Sequence, residues 1–157
     1  MFKYLLIFFP ILIFSQYTGK VIAIKDGDTV VVIDSLKNQK TLRLAEVDCP
    51  ESGQPFGKNA KQFTSDQIFG KTVKYYITTT DRYNRSIAKI YYDNGKYLSE
   101  EIIKNGLGWW YFKYSKDKNL GRLENEASNK KIGLFSDPNS IPPWLYREQQ
   151  RENQIKP

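Results

Sequence analysis

Three short segments carry acidic and arginine side chains of the types that hold a metal ion and a phosphate group. Residues 26–29 read Asp-Gly-Asp-Thr, residues 42–51 read Leu-Arg-Leu-Ala-Glu-Val-Asp-Cys-Pro-Glu, and residues 81–85 read Asp-Arg-Tyr-Asn-Arg. Calcium binds carboxylate and carbonyl oxygens, and the planar guanidinium group of arginine meets two phosphate oxygens at once. Taken singly, the segments are typical of a hairpin turn, a solvated strand edge and a charged turn. Only their conjunction indicates a site.

The middle segment offers two metal ligands in a row. Asp48 follows a predicted strand, so its carboxylate can face a metal at the strand end. Cys49 is held extended by Pro50, and its backbone carbonyl can turn the same way. Sulfur is a poor ligand for calcium, so only the backbone oxygen of Cys49 is a candidate.

The composition excludes several classes of enzyme. The chain has no histidine, which rules out a Ser-His-Asp triad, a histidine base and a histidine-ligated zinc site. Cys49 is the only cysteine, so no disulfide can form within the chain. The net charge of +7 favours polyanionic partners such as nucleic acid or anionic surfaces. Any catalysis must therefore use carboxylates, basic side chains and an oxygen-liganded metal.

The elements that must position these residues follow from the hydrophobic periodicity. Val- and Ile-rich segments predict strands at residues 19–25, 29–34, about 40–47, 73–79 and 86–92. Helices are predicted at residues 58–69, around 98–103 and around 120–127. Gly121 weakens the last of these helices by about 1 kcal/mol relative to alanine. This order predicts an α+β fold, a five-stranded OB-fold (oligonucleotide-binding) β-barrel with about three helices.

The first 15 residues are predicted to be a signal peptide. A short basic start precedes an apolar run, residues 4–14, which is shorter than the roughly 20 residues that span a bilayer. A retained anchor or a buried strand is the alternative. Export would leave a domain at residues 16–146 and a polar, frayed tail at residues 147–157. We expect a secreted or periplasmic monomer without a membrane span in its mature form.

The three segments together resemble the staphylococcal nuclease (thermonuclease) family. The resemblance runs from about residue 18 to residue 144, and the order and separation of the motifs make it specific. Further matching stretches are Gln54-Pro55-Phe56-Gly57, Asn105-Gly106-Leu107 and Gly133-Leu134-Phe135-Ser136-Asp137. The resemblance implies an OB-fold barrel and calcium-dependent cleavage of DNA and RNA.

The resemblance also implies a role for each matching residue. One calcium ion would be held by the metal ligands Asp28, Asp48 and the backbone carbonyl of Cys49. The catalytic residues would be Arg43 and Arg85 on the reacting phosphate and Glu51 as general base for the attacking water. Substrate would be gripped by Arg82 and Tyr83 near a terminal phosphate and by Tyr114 beneath a base.

Two positions depart from the family pattern. Cys49 stands where the best-known members have threonine, which matters little because only its main-chain oxygen is a ligand. Asn84 stands where glycine is common, and asparagine tolerates left-handed backbone angles better than most residues. We therefore expect the turn that carries Arg85 to form.

Two other kinds of protein fit parts of the pattern. The same barrel could be a non-catalytic exported module that binds single-stranded nucleic acid, although Arg43, Glu51 and Arg85 are all present. An exported structural or adhesion protein could use its positive charge to hold polyanions, but it has no need of three ordered motifs. Cleavage of nucleic acid with calcium and with a chelator distinguishes these alternatives.

Overall fold

Five strands close into a barrel at the centre of the computed structural model, which describes residues 15–155. The predicted signal peptide lies outside the described residues apart from Ser15. The strands are β1 (Gln16–Asp26), β2 (Thr29–Ile33), β3 (Gln39–Leu44), β4 (Val47–Asp48), β5 (Thr72–Thr80), β6 (Ser86–Tyr92), β7 (Lys96–Tyr97) and β8 (Trp109–Trp110). The helices are α1 (Gly57–Ile68), α2 (Leu98–Lys104), α3 (Lys118–Asn129) and α4 (Pro143–Ile155), with 3₁₀ turns at Phe112–Tyr114 and Gly133–Ser136.

The barrel is closed by one parallel contact. Antiparallel pairing gives the strand order β3-β2-β1-β5-β6, and a parallel pairing of β3 with β6 joins the two ends. Branched residues such as Val30, Val32 and Leu42 lie wholly buried inside, as expected for alternating strands. The predicted five-stranded OB-fold barrel is confirmed, with β7 added as a short strand at the edge of β6.

The third strand ends earlier than the sequence predicts. β3 stops at Leu44, and the backbone turns at Glu46, whose φ of 69° is left-handed. Val47 and Asp48 then form β4, which pairs with Trp109 and Trp110 in a separate two-stranded sheet. The prediction of a continuous strand to Val47 is therefore wrong. The break turns the chain away from the barrel wall before it reaches Asp48.

The helices differ from the expectation at the C-terminal end. The three predicted helices are present as α1, α2 and α3. The prediction of a frayed tail is wrong, because Pro143–Ile155 forms a fourth helix. Proline suits the first position of a helix, since its fixed φ fits and its missing N–H needs no partner there. No helix within residues 15–155 has the length and apolar character needed to cross a membrane.

The Asp-Gly-Asp turn between β1 and β2 packs directly against α1. A Cβ added at Gly27 would lie 2.7 Å from the Cβ of Ala60 and 2.9 Å from that of Cys49. The Thr64 hydroxyl donates a 2.6 Å hydrogen bond to the Gly27 carbonyl. Only glycine fits this close approach, and the approach fixes the direction in which Asp28 leaves the turn.

Packing also explains the glycine inside α3. A Cβ added at Gly121 would lie 2.7 and 2.8 Å from two ring carbons of Trp110. The helix thus accepts a residue of low helix propensity because the indole ring occupies the space of a side chain. The contact joins α3 to β8 and so to the sheet that carries Asp48.

We predict that G121A destabilises the protein although alanine is the better helix former. The gain in helix propensity is about 1 kcal/mol, whereas overpacking a closed interior costs about 1–3 kcal/mol. Urea denaturation should therefore show a lower free energy of unfolding. N125A, at an exposed position of the same helix, serves as the control and should be neutral or slightly stabilising. A G121A protein more stable than the parent would contradict this account.

Candidate active site

All nine residues predicted for the site line one open cleft of about 1060 Å³. They are Asp28, Arg43, Asp48, Cys49, Glu51, Arg82, Tyr83, Arg85 and Tyr114. The turn before β2, the end of β3, β4 and the loop after it, the β5–β6 turn and the 3₁₀ turn before α3 supply them. Segments far apart in sequence therefore converge on a single pocket.

Arg43 is the centre of the charged group. Its guanidinium lies 3.0 Å from Asp28 Oδ2 and 2.6 Å from Asp48 Oδ1. It also donates a 3.0 Å hydrogen bond to the Val47 carbonyl. The side chains of Asp28 and Asp48 are 9% and 1% exposed, so Arg43 offsets the negative charge of two carboxylates that are largely shielded from water. β2 and β3 pair Thr29 with Arg43, which sets the two segments side by side.

Burial and ion pairing act in opposite directions on these groups. Burial opposes the charge on Arg43, but Asp28 and Asp48 outweigh it and raise the pKa of the guanidinium. Burial is the largest effect on Asp48 and raises the pKa of its carboxyl, although Arg43 and Arg147 act to lower it. The two arginines thus partly offset the effect of burial and favour the ionised carboxylate that a metal site requires.

The backbone of Cys49 is held against Asp28. The Cys49 N–H donates a 2.8 Å hydrogen bond to Asp28 Oδ2, and the Thr29 hydroxyl donates to Oδ1 at 3.0 Å. The Cys49 thiol itself is buried in the core, and burial raises its pKa well above the ordinary value. The thiol is therefore unreactive, and only the backbone carbonyl of Cys49 is a candidate metal ligand.

Oxygen atoms of the site are of the kind that an oxygen-preferring cation such as calcium binds. Asp28 contacts Nη1 and Asp48 contacts Nη2 of the same guanidinium group, so the two carboxylates lie near each other beside a positive charge. Within residues 15–155 no cluster of three or more acidic, cysteine or histidine side chains is arranged to hold a metal. Two carboxylates, a backbone carbonyl at Cys49 and water molecules would therefore have to form the shell, which calcium tolerates.

Glu51 lies on a tightly bonded loop beside this group. Its N–H donates to Gln54 Oε1 at 3.2 Å, and its carbonyl accepts from the Gln54 N–H at 2.8 Å. A Cβ at Gly57 would lie 2.0 Å from the Glu51 carbonyl oxygen, so the start of α1 packs on the loop without space for a side chain. The Glu51 carboxylate remains 40% exposed at the cleft, where water can reach it.

Arg85 is placed by its own turn. Asp81 accepts hydrogen bonds from the backbone N–H groups of Tyr83 and Arg85, both at 2.9 Å, and from Arg85 Nε at 2.8 Å. Asn84 has a φ of 60°, so the expectation that asparagine supports the left-handed turn is confirmed. The outer nitrogens of the Arg85 guanidinium are not engaged by Asp81, and the side chain lines the cleft.

Three exposed side chains complete the rim. The guanidinium carbons of Arg82 and Arg85 lie 4.9 and 5.5 Å from the ring centre of Tyr83, within cation–π range. Tyr114 is 75% exposed and meets the ring of Tyr111 edge-on at 4.8 Å. The rings of Tyr83 and Tyr114 therefore lie at the rim of the cleft that contains Arg43 and its carboxylate partners.

The sequence reasoning missed Arg147. Its guanidinium lies 2.6 Å from Glu51 Oε1 and 2.8 Å from Asp48 Oδ2, so an arginine from the predicted tail enters the site. A signal was present in Pro142-Pro143-Trp144, because a proline at the first helical position followed by good helix formers indicates a helix start. No pattern in the sequence indicates where that helix docks.

Glu46 joins the barrel to the second half of the chain. Its carboxylate accepts from the Tyr97 hydroxyl at 2.9 Å and the Ser115 hydroxyl at 3.0 Å, and pairs with Lys89 at 2.9 Å. Burial opposes its charge, but hydrogen bonds from Lys89 and Tyr97 outweigh burial and lower the pKa of Glu46. This network holds the left-handed turn that precedes β4 and Asp48.

The closed barrel and its cleft of carboxylates and guanidinium groups define an OB-fold protein with a charged site at the barrel surface. The sequence pattern described as staphylococcal nuclease homologue matches residues 41–137. The chain therefore belongs to the staphylococcal nuclease family.

Several curated relatives are similar over most of their length. An uncharacterized endonuclease of Escherichia coli O157:H7 is 36% identical over 129 residues, which cover 82% of this chain and 84% of the relative. A micrococcal nuclease of Shigella flexneri is 37% identical over 145 residues, covering 85% and 82%. An uncharacterized endonuclease of Haemophilus influenzae is 35% identical over 139 residues, covering 88% and 78%.

We predict that E46Q lowers the free energy of unfolding by about 1–3 kcal/mol at pH 7, since hydrogen bonds to a buried charged group are lost or weakened. A carboxyl whose folded pKa is lowered stabilises the fold above its unfolded pKa, and this stabilisation is lost as pH falls through the folded value. The difference between the parent and E46Q should therefore shrink below the ordinary glutamate pKa.

Urea denaturation at pH 7 and at about pH 3.5 measures this difference. E148Q, which makes the same change at an exposed position of α4, is the control and should behave like the parent at both pH values. A pH-independent effect of E46Q would show that the charge of Glu46 does not stabilise the turn.

Proposed function

We propose that the protein is a calcium-dependent nuclease that hydrolyses phosphodiester bonds of DNA and RNA. The observation that carries the proposal is the meeting of Asp28 and Asp48 on Arg43, with Glu51 and Arg85 lining the same cleft. Membership of the staphylococcal nuclease family supports the same reaction. Hydrolysis needs an activated water and stabilisation of the negative charge that grows on the phosphate, and the cleft offers groups for both.

The two buried carboxylates are proposed as the cation ligands. Asp28, Asp48 and the backbone carbonyl of Cys49 would hold one calcium ion, which supplies Lewis-acid polarisation of a phosphate oxygen when bound. The hydrogen bond from the Cys49 N–H to Asp28 keeps the two ligand segments together. Few protein ligands make a weak site, which suits the high calcium concentrations outside the cell.

Glu51 is proposed as the general base. Its carboxylate is partly exposed at the cleft, so it can accept a proton from a water molecule that enters with the substrate. A positioned carboxylate in this role contributes about 10²–10⁴-fold to the rate. The hydrogen bonds to Gln54 and the contact with Gly57 restrict the loop, which limits the orientations that the base can adopt.

Arg43 and Arg85 are proposed to act on the reacting phosphate. A guanidinium group is planar and can bind two phosphate oxygens at once. Bonds that strengthen as negative charge develops lower the barrier rather than merely tightening binding. Arg82 and Tyr83 would hold a neighbouring phosphate, and Tyr114 offers a flat surface on which a base can stack, a contact worth about 1–3 kcal/mol.

We further propose that the enzyme is exported and acts as a monomer. The apolar segment at residues 4–14 supports export. A basic protein outside the cell would meet free nucleic acid, and its affinity should fall steeply with salt because binding releases counterions from phosphates.

The proposal predicts calcium-dependent digestion. Purified protein should cleave labelled DNA and RNA oligonucleotides with calcium, and a chelator should abolish cleavage. E51Q, prepared identically, should bind calcium in a calorimetric titration but cleave about 10²–10⁴-fold more slowly. This variant also controls for contaminating nucleases. Equal digestion with the chelator or by E51Q would refute the proposed mechanism, whereas tight binding without cleavage would indicate a non-catalytic module.

We predict that R43K loses most activity while the fold survives. Lysine keeps the positive charge but cannot contact both carboxylates and the phosphate with one planar group, so kcat should fall about 10²-fold or more. Circular dichroism and thermal unfolding report the fold. R122K, which makes the same change in the exposed pair with Glu126, is the control. Near-normal turnover of R43K would remove Arg43 from the catalytic group.

A further inference from the structure

The C-terminal helix contributes an arginine that contacts two of the acidic site residues. Arg147 Nη1 lies 2.6 Å from Glu51 Oε1, and Nη2 lies 2.8 Å from Asp48 Oδ2. Asp48 Oδ1 is bound separately by Arg43. The two guanidinium groups therefore favour different oxygens of Asp48, and only Arg147 reaches across to Glu51 within salt-bridge distance.

The placement of Arg147 is set by contacts at the start of α4. Trp144 stacks on Tyr111 with ring centres 5.5 Å apart and planes 4° from parallel. Gln54, which also binds the Glu51 N–H, donates a 2.6 Å hydrogen bond to the Ile141 carbonyl just before the helix. The loop that carries Glu51 and the helix that carries Arg147 thus share one anchor.

The contact of Arg147 with both Asp48 and Glu51 reduces the repulsion between these two carboxylates. Asp48 and Glu51 are both negative and lie close enough to share one guanidinium, so they repel each other when both are ionised. A planar group with two outward nitrogens can bind both carboxylates at once, which offsets the repulsion and fixes their separation. A lysine ammonium concentrates its charge at one point and cannot match this geometry equally well.

We propose that Arg147 is a positioning residue for hydrolysis, which holds the Glu51 carboxylate at a fixed place beside Asp48. The inference rests on the proposed function, because it gives Glu51 the role of base and Asp48 the role of cation ligand. It makes α4 part of the active site. Without Arg147, Glu51 would sample other orientations, and the proton acceptor would be out of place in most encounters.

The test is R147A in the full chain, since alanine preserves the helix. Misplacement of a catalytic group costs up to about 10²-fold, so we expect kcat to fall roughly 10- to 100-fold with KM little changed. Calcium affinity, measured by calorimetry, should stay equal or become tighter, because a positive charge next to Asp48 has been removed. R147K should recover part of the lost kcat.

Matched controls separate this role from a general loss of structure. R151A makes the same change one turn along α4 at an exposed position and should leave kcat unchanged. Wild-type kcat in R147A would overturn the role of Arg147. Weaker calcium binding together with lower thermal stability would also overturn it, since that pattern marks a loosened cleft. A wild-type protein unable to cleave either nucleic acid would refute the proposed function and this inference with it.

Discussion

The double ion pair of Arg43 with Asp28 and Asp48 is the interaction on which the site depends. Both carboxylates are almost fully buried, and buried negative charges repel each other unless a cation lies between them. The Arg43 guanidinium contacts both carboxylates and also binds the backbone at Val47. The turn before β2, the end of β3 and β4 are thereby tied into a single charged unit, whose members will not respond independently to substitution.

A backbone break delivers Asp48 to that unit. β3 could not continue to Asp48 and also present it to the cleft, so the chain turns through the left-handed Glu46 and starts a second small sheet. The Glu46 carboxylate binds Lys89 and Tyr97 of the barrel region and Ser115 of the helical part. The same residue therefore makes the turn and joins the barrel to the helical part of the chain, and its side chain also lines the cleft.

The sequence predicted the barrel and the cleft residues better than their surroundings. Alternation of apolar and polar residues indicates strands, and the ordered motifs indicate a family. The sequence was therefore enough to predict that distant segments meet in one site. Asn84 was correctly expected in a left-handed turn because its side chain tolerates that conformation. Glu46 adopts the same conformation, and its side chain is held by Lys89, Tyr97 and Ser115, which are remote in sequence, so no local pattern predicts that turn. Arg147 was missed for a related reason, since a polar helix acquires its partners only by docking.

The single thiol has a consequence for durability. Cys49 is shielded by the core, so oxidants in an oxidising medium cannot reach it while the molecule is folded. An unfolded molecule exposes a sulfhydryl that has no second cysteine in its own chain, so any disulfide it forms joins it to another molecule. Loss by intermolecular disulfide formation therefore proceeds through the unfolded state, so substitutions that destabilise the fold should also promote covalent dimerisation under oxidising conditions.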